Sequence, residues 1–279
     1  MQYVVLGADG MLGSDLVAMC MARDLPILGL DFPAIDITDS TMLDSAIPEG
    51  STVVNCAAYT QVDDAETDRE RAFLVNASGA GNVAQVCSRK GCRLLHLSTD
   101  YVFNGSADQP CREEDPTGPL NVYGESKLAG ELEVRDAGCD ALVVRAQSLF
   151  GANGKNFVHT IMNRLSENGN NLRVVRDQVS SPTYTKHLAS AILKLVESGA
   201  SGTVHVSASG SCSWHAFAVR IAEHVNPGAI VTPVDSAEYP MPARRPARSV
   251  MNTSRFELVT GTRMPSWEAG LLEYLEEVA

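Results

Sequence analysis

Tyr123 and Lys127 stand four residues apart in Tyr123-Gly-Glu-Ser-Lys127, and if this stretch is helical both side chains leave the same face. A free phenol titrates near pH ~10, so acid or base work at neutrality needs a cation close by to stabilise the phenolate. Lys127 supplies one. Upstream, Ser98-Thr99-Asp100-Tyr101-Val102-Phe103 closes the apolar run Arg93-Leu-Leu-His-Leu, where the Thr99 hydroxyl is placed to hydrogen-bond an oxygen on which a reaction occurs. A phenol, a cation that tunes it and a hydroxyl donor are the set that a ketone reduction uses. The same spacing also arises on amphipathic surface helices, so its meaning depends on the elements around it.

Those elements begin with a strand, a glycine turn and a helix. Tyr3-Val-Val-Leu6 is a β-branched run, and Gly7-Ala-Asp-Gly10-Met11-Leu12-Gly13 leads directly into the apolar periodicity Leu12, Leu16, Val17, Met19, Cys20. Glycines three apart allow a tight turn at Gly7, close backbone approach to a pyrophosphate at Gly10, and helix-on-strand packing at Gly13. The next apolar run ends in Asp31, at the distance where a carboxylate reaches the ribose of an adenosine; capping the following turn is its other use. Val53 to Ala58 reads as a third strand ending in small residues that leave room above the sheet. Asp63-Asp-Ala-Glu66 reads as a complement to the dipole of a helix from about Thr67 to Lys90. Asp140 to Arg145 continues the strand and helix alternation, which predicts a doubly wound parallel α/β sheet of the Rossmann type over 1–146. The looser pattern over 147–279 predicts a smaller α/β lobe, interleaved with the first and suited to binding a substrate. Within it, Pro233 to Ser249 is a proline-stiffened loop with Arg244, Arg245 and Arg248, either a phosphate clamp or a solvated surface.

Composition excludes several partners. A net charge of −12 over 279 residues opposes a nucleic-acid partner, whose affinity rests on Lys and Arg. Seven cysteines with no Cys-x-x-Cys pair favour neither a disulfide framework nor zinc, and the histidines are scattered, so no metal site is expected. There is no basic leader and no apolar run near the ~20 residues of a membrane span, so the expectation is a soluble, cytoplasmic protein.

Taken together, Gly7-xx-Gly10-xx-Gly13, Asn55-Cys-Ala-Ala-Tyr-Thr60, Ser98 to Phe103, Pro119 to Gly124 and Tyr123-xxx-Lys127 resemble the extended short-chain dehydrogenase/reductases, nearest the dTDP-4-dehydrorhamnose reductases. The likeness continues through Ser181-Pro-Thr183 and Arg245 to Phe256, nearly the whole chain. It implies hydride transfer from NAD(P)H to the C4 ketone of a nucleotide-linked 6-deoxyhexose. Tyr123 is then the proton donor, Lys127 lowers its pKa and holds the nicotinamide ribose, and Thr99 bonds the sugar carbonyl with Asp100 beside it. Gly10, Met11 and Leu12 present backbone to the pyrophosphate; Asp31, Asp36 and Ile37 flank the adenosine; Ala58, Tyr59 and Thr60 line the cofactor path. Ser148, Arg245 and Arg248 face the substrate. The chain departs from the family at Ala146-Gln147-Ser148, where Thr-Ser-Trp is common and the Trp contacts substrate. NADH is expected to be preferred, with NADPH an alternative, because no Lys or Arg occurs between Arg23 and Arg69 to meet a 2′-phosphate. A homodimer is allowed. A 4,6-dehydratase is disfavoured by Tyr101, which follows Thr99-Asp100 where such enzymes carry an acid. An epimerase of this fold and a cofactor-binding regulatory subunit are the remaining alternatives, the second opposed by retention of Thr99, Tyr123 and Lys127.

Overall fold

The computed structural model describes residues 2–167 and 171–278. Six strands form its central sheet: β1 (Tyr3–Leu6), β2 (Ile27–Leu30), β3 (Thr52–Asn55), β4 (Arg93–Thr99), β5 (Asp140–Ala146) and the strand Gly202–His205. Their spatial order is Gly202–His205, β5, β4, β3, β1, β2, and every pairing is parallel. Parallel strands need crossover connections, and the crossovers put helices on both faces. The strands are accordingly apolar on both sides. Tyr3 and Val5 pack with Leu12, Leu16, Leu188 and Ile192 on one face, whereas Val4 and Leu6 pack with Leu43, Ile47, Val83 and Val86 on the other.

β1 pairs with β2 on one side and β3 on the other, so the chain reverses its direction of sheet growth there. A crevice opens outside the carboxyl ends of strands at such a point, which is where doubly wound sheets bind ligands. The glycine turn after β1 and the Cys56-Ala57-Ala58 segment after β3 face each other across it.

The chain past residue 146 contributes to both units. The strand Gly202–His205 extends the central sheet beside β5, and Leu188, Ile192 and Leu195 of the helix Thr185–Ser198 share a core with α1 (Met11–Ala22). The lobe has its own core of Phe150, Ile161, Leu172, Phe217, Trp267 and Leu271. Its strand Asn171–Val175 pairs in parallel with Ile230–Val234, so Pro233, expected to open a loop, lies within a strand.

The helix expected from Thr67 to Lys90 is divided. Arg69–Phe73 and Ala80–Arg89 are α-helical, and Leu74–Gly79 between them is a π turn. Such wide turns recur at functional sites because they re-aim a side chain; here the side chain is Asn76. Among the described residues, no helix is long and apolar enough to cross a membrane.

Candidate active site

Gly7 has φ +80°, a conformation costly to any residue with a Cβ, and its carbonyl lies against α1. A Cβ on Gly13 would sit 2.0 Å from the Gly7 carbonyl oxygen. Gly13→Ala must therefore displace the turn itself. The expected result is a loss of at least roughly tenfold in dinucleotide affinity, about 1.5 kcal/mol for one displaced charge-assisted contact, read by fluorescence titration with NADH; unchanged affinity would remove the turn from the site. Gly10 caps α1 without a side-chain bond, and the first turn holds no acidic residue, so the backbone N–H groups of Met11 and its neighbours suit an anion. The Leu12 side chain is in the core and brings only its backbone.

Asp31, at the end of β2, accepts from the Asp9 and Phe32 backbone N–H groups, each at 2.7 Å. It thereby ties the glycine turn to the second strand. Asp36 accepts from the Thr38 N–H and hydroxyl at 2.9 and 2.8 Å, and Ile37 is buried beside Gly79. Sequence reasoning missed what holds the Ala58-Tyr59-Thr60 segment. Asn76 accepts from Tyr59 N–H at 2.8 Å, donates to the Tyr59 carbonyl at 3.0 Å, and donates to Ser126 at 2.9 Å. One amide thus joins the Ala58-Tyr59-Thr60 segment to the helix that carries Tyr123 and Lys127. A mid-helix Asn carries no sequence signal for this, since the π turn that aims it is not a periodicity.

Thr99 ends β4, and Tyr123 and Lys127 occupy the first two turns of the helix Val122–Asp136. That helix starts at Asn121, whose side chain accepts from Gly124 N–H at 2.8 Å, while Glu66 accepts from Val122 N–H at 2.9 Å. Burial pushes the Tyr123 phenol up to about 12, opposed by the Thr99 hydroxyl and assisted by Asp100. The lowering expected from Lys127 is not what this geometry gives. Its ammonium donates to the Leu97 carbonyl at 2.6 Å, and burial brings Lys127 itself down to about 8 against the pull of Glu131. Burial is the largest cause at both groups, and Lys127 is not among the groups that act on the phenol. Asp100 is buried and pushed up to about 7 by desolvation.

Behind this group lies a charged network that the sequence reading did not find. Arg145 donates from Nε and Nη2 to the two Glu131 oxygens at 2.9 and 2.7 Å, and Ser98 donates to Glu131 at 2.5 Å. The Arg145 guanidinium also lies 5.1 Å from the Phe103 ring centroid. Burial and Arg145 push the His205 imidazole down to about 3, leaving it neutral. An arginine ending the apolar run Leu142-Val-Val was the available signal, because a charge in a buried strand needs a partner.

Of the three loop arginines, Arg245 is committed elsewhere. Its fork bonds both Asp63 oxygens at 2.9 and 2.8 Å and the Ala243 carbonyl at 2.9 Å. This corrects two expectations: Arg245 is not a free phosphate clamp, and Asp63 serves that loop rather than a helix dipole. Glu66, by its bond to Val122, serves the start of the helix that carries Tyr123 and Lys127. Asn121 donates to the Arg244 carbonyl at 2.8 Å, so the loop is fastened to the start of the helix that carries Tyr123 and Lys127. A cavity of about 390 Å³ lies between this loop and Asp177-Gln178, with Arg244, Tyr239 and Met241 in its wall. Arg244 is exposed, and Arg248 has a buried Nε without a partner among the described residues. Ser148, at φ +48°, donates to the Ser180 hydroxyl at 2.8 Å.

A parallel sheet with a glycine turn at its reversal point and a Tyr-xxx-Lys helix beside β4 define a dinucleotide-dependent oxidoreductase of the short-chain dehydrogenase/reductase class. The family described as RmlD substrate binding domain matches residues 1–279. The chain is 40% identical over 281 residues to dTDP-4-dehydrorhamnose reductase of Mycolicibacterium smegmatis, covering 99% of this chain and 86% of that one. It is 39% identical over 278 residues to the spore coat polysaccharide biosynthesis protein SpsK of Bacillus subtilis, covering 99% and 97%. The crystal structure of dTDP-4-dehydrorhamnose reductase from Bacillus anthracis in complex with NADP superposes with a TM-score of 0.94 at 38% identity, covering 99% of this chain and all of that one. The chain belongs to the RmlD substrate binding domain family.

Proposed function

We propose that this protein reduces the C4 ketone of a nucleotide-linked 6-deoxy-hexulose, as the dTDP-4-dehydrorhamnose reductases it is similar to are named for doing. The observation that carries the reading is the convergence of Thr99, Tyr123 and Lys127 at the carboxyl end of β4, beside the crevice fed by the glycine turn. NAD(P)H bound there supplies the hydride. The residues present suit it: the uncapped start of α1 for the pyrophosphate, Asp31 for the adenosine ribose, the Asn76-held Tyr59 segment along its path, and Lys127 for the nicotinamide ribose. Tyr123 gives its proton to the ketone oxygen, and Thr99 orients that oxygen by a hydrogen bond. Asp100 lies beside Thr99 on the sugar. Arg244 and Arg248 take the phosphates and Ser148 lies on the sugar side, while Arg245 holds the loop that presents them. The small Ser148, where the family often has Trp, widens the sugar side of the site. The proposed setting is the cytoplasm, where seven free thiols stay reduced.

The assay is loss of 340 nm absorbance when purified protein is given dTDP-4-keto-6-deoxy sugar and NADH or NADPH. Turnover without net consumption of reduced cofactor would point to epimerisation. Within the same assay NADH is expected to give the larger kcat/KM, by about 5- to 30-fold. The Asp31 carboxylate repels a 2′-phosphate across a partly solvated gap, and residues 24–68 contain no Lys or Arg to offset it. An equal or larger value with NADPH would mean that another cation reaches the ribose.

A further inference from the structure

We propose that Lys155, carried by the substrate lobe, meets the pyrophosphate of the dinucleotide at the start of α1; this rests on the dinucleotide-dependent reading above. The segment Gly151-Ala-Asn-Gly-Lys-Asn156 lies against that start. Asn153 donates to the Ser14 hydroxyl at 3.1 Å. Gly154 packs on Met11 so closely that a Cβ there would lie 2.6 Å from Met11 Cγ, and the Asn156 amide faces Met11 Sδ at 3.9 Å. Lys155 stands between these two contacts, one Cα step of ~3.8 Å from each residue that touches Met11. Met11 is the first residue of the helix whose free N–H groups suit an anion.

The segment is held at both ends. A Cβ on Gly151 would lie 1.8 Å from Thr185 Oγ1, so its base is seated on the helix Thr185–Ser198. At the other end Asn156 is 8% exposed. Its amide donates to the Gly151 carbonyl at 2.8 Å and to the Tyr274 hydroxyl at 3.3 Å, and accepts from the His159 N–H at 3.0 Å. One side chain thereby closes the segment on itself and starts the helix Phe157–Glu167. Asn153 takes φ +56°, a left-handed conformation that Asn tolerates better than most residues. With its base and end fixed, the turn exposes Asn153, Gly154 and Lys155, and Lys155 is the charged one.

The first unit leaves this anion short of positive charge. Residues 1–68 contain one cation, Arg23. It follows the last residue of α1 and faces Glu197 at 3.7 Å, about 18 Å from the helix start by the rise of twelve residues. Two carboxylates stand at the glycine turn itself, since Asp9 is exposed there and its N–H is held by Asp31. The helix start offsets them by about half a charge. A pyrophosphate therefore enters a place that is acidic until the second unit adds its ammonium. Lys155 holds no ion pair among the described residues, and a lysine binds phosphate as a point charge on a flexible stem, without a fixed fork.

The test is equilibrium binding of NADH, NADPH and ADP to wild type, Lys155→Met and Lys155→Arg, by fluorescence titration and calorimetry at low and high salt. Lys155→Met keeps the stem and removes the charge from an exposed position, where substitution leaves folding intact. It is expected to weaken all three ligands by a common factor of about 5 to 20 at low salt. The gap should narrow at high salt, because the contact is solvated, and Lys155→Arg should restore most of the affinity. Affinities within about twofold of wild type overturn the proposal. A loss confined to NADPH also overturns it, since the cation would then meet the 2′-phosphate. So does unchanged NADH and ADP binding with a raised KM for the 4-keto sugar, which would give Lys155 to the substrate. The two readings separate at the wild type: a protein that binds neither NADH nor NADPH sinks the dinucleotide reading and this one with it, whereas normal binding that Lys155→Met leaves unchanged sinks the lysine contact alone.

Discussion

Tyr123→Phe is expected to lower kcat by roughly 10²–10⁴-fold and to leave NADH affinity within about twofold. The ring of Tyr123 packs with Tyr59, Phe73 and Val122 and meets Tyr101 edge-on with centroids 5.9 Å apart. Phenylalanine fills the same space and keeps those contacts. What is lost is the hydroxyl alone, the group proposed to give the proton. Steady-state kinetics with the 4-keto sugar, paired with a direct NADH titration, separate the two effects. Ordinary turnover would take Tyr123 out of the chemistry, and a large loss of NADH affinity would mean that the phenol serves the cofactor instead.

Glu131→Ala is expected to cost about 3–5 kcal/mol of folding stability, the range seen when one partner of a buried ion pair is removed. The two side chains are 1% and 4% exposed, so truncation leaves the Arg145 charge out of water with no counter-ion, and leaves Ser98 without its acceptor. An exposed pair offers the control. Arg173–Glu238, at 61% and 54% exposure, should change stability by less than about 1 kcal/mol when Glu238 is truncated. Urea unfolding of both variants gives the comparison, and near-equal losses would mean that the Glu131 pair is reached by water. Replacing Glu131 and Arg145 together by Leu and Met should recover much of the loss, because matched apolar groups bury no charge.

The fold was legible in the chain to the extent that it is written locally. Continuous apolar strands at Tyr3–Leu6, Thr52–Asn55 and Asp140–Ala146 imply burial on both faces and hence parallel pairing. Three glycines at fixed spacing imply a turn that only glycine can make, and Gly7 at φ +80° makes it. Tyr123 and Lys127 share a helix face because the helix repeat puts i and i+4 there. The tertiary structure alone decided the rest. Whether the strand Gly202–His205 joins the central sheet depends on an edge left open by β5, which no window of sequence contains. Arg245 meets Asp63 across 182 positions, and the Lys127 ammonium donates to the Leu97 carbonyl, contacts that no local motif contains. The protonation of Tyr123, Lys127 and Asp100 is likewise set by burial, which is a property of everything packed around a group. Residue spacing fixes which side chains share a face; only the folded chain fixes what those side chains then meet, and at what cost in lost water.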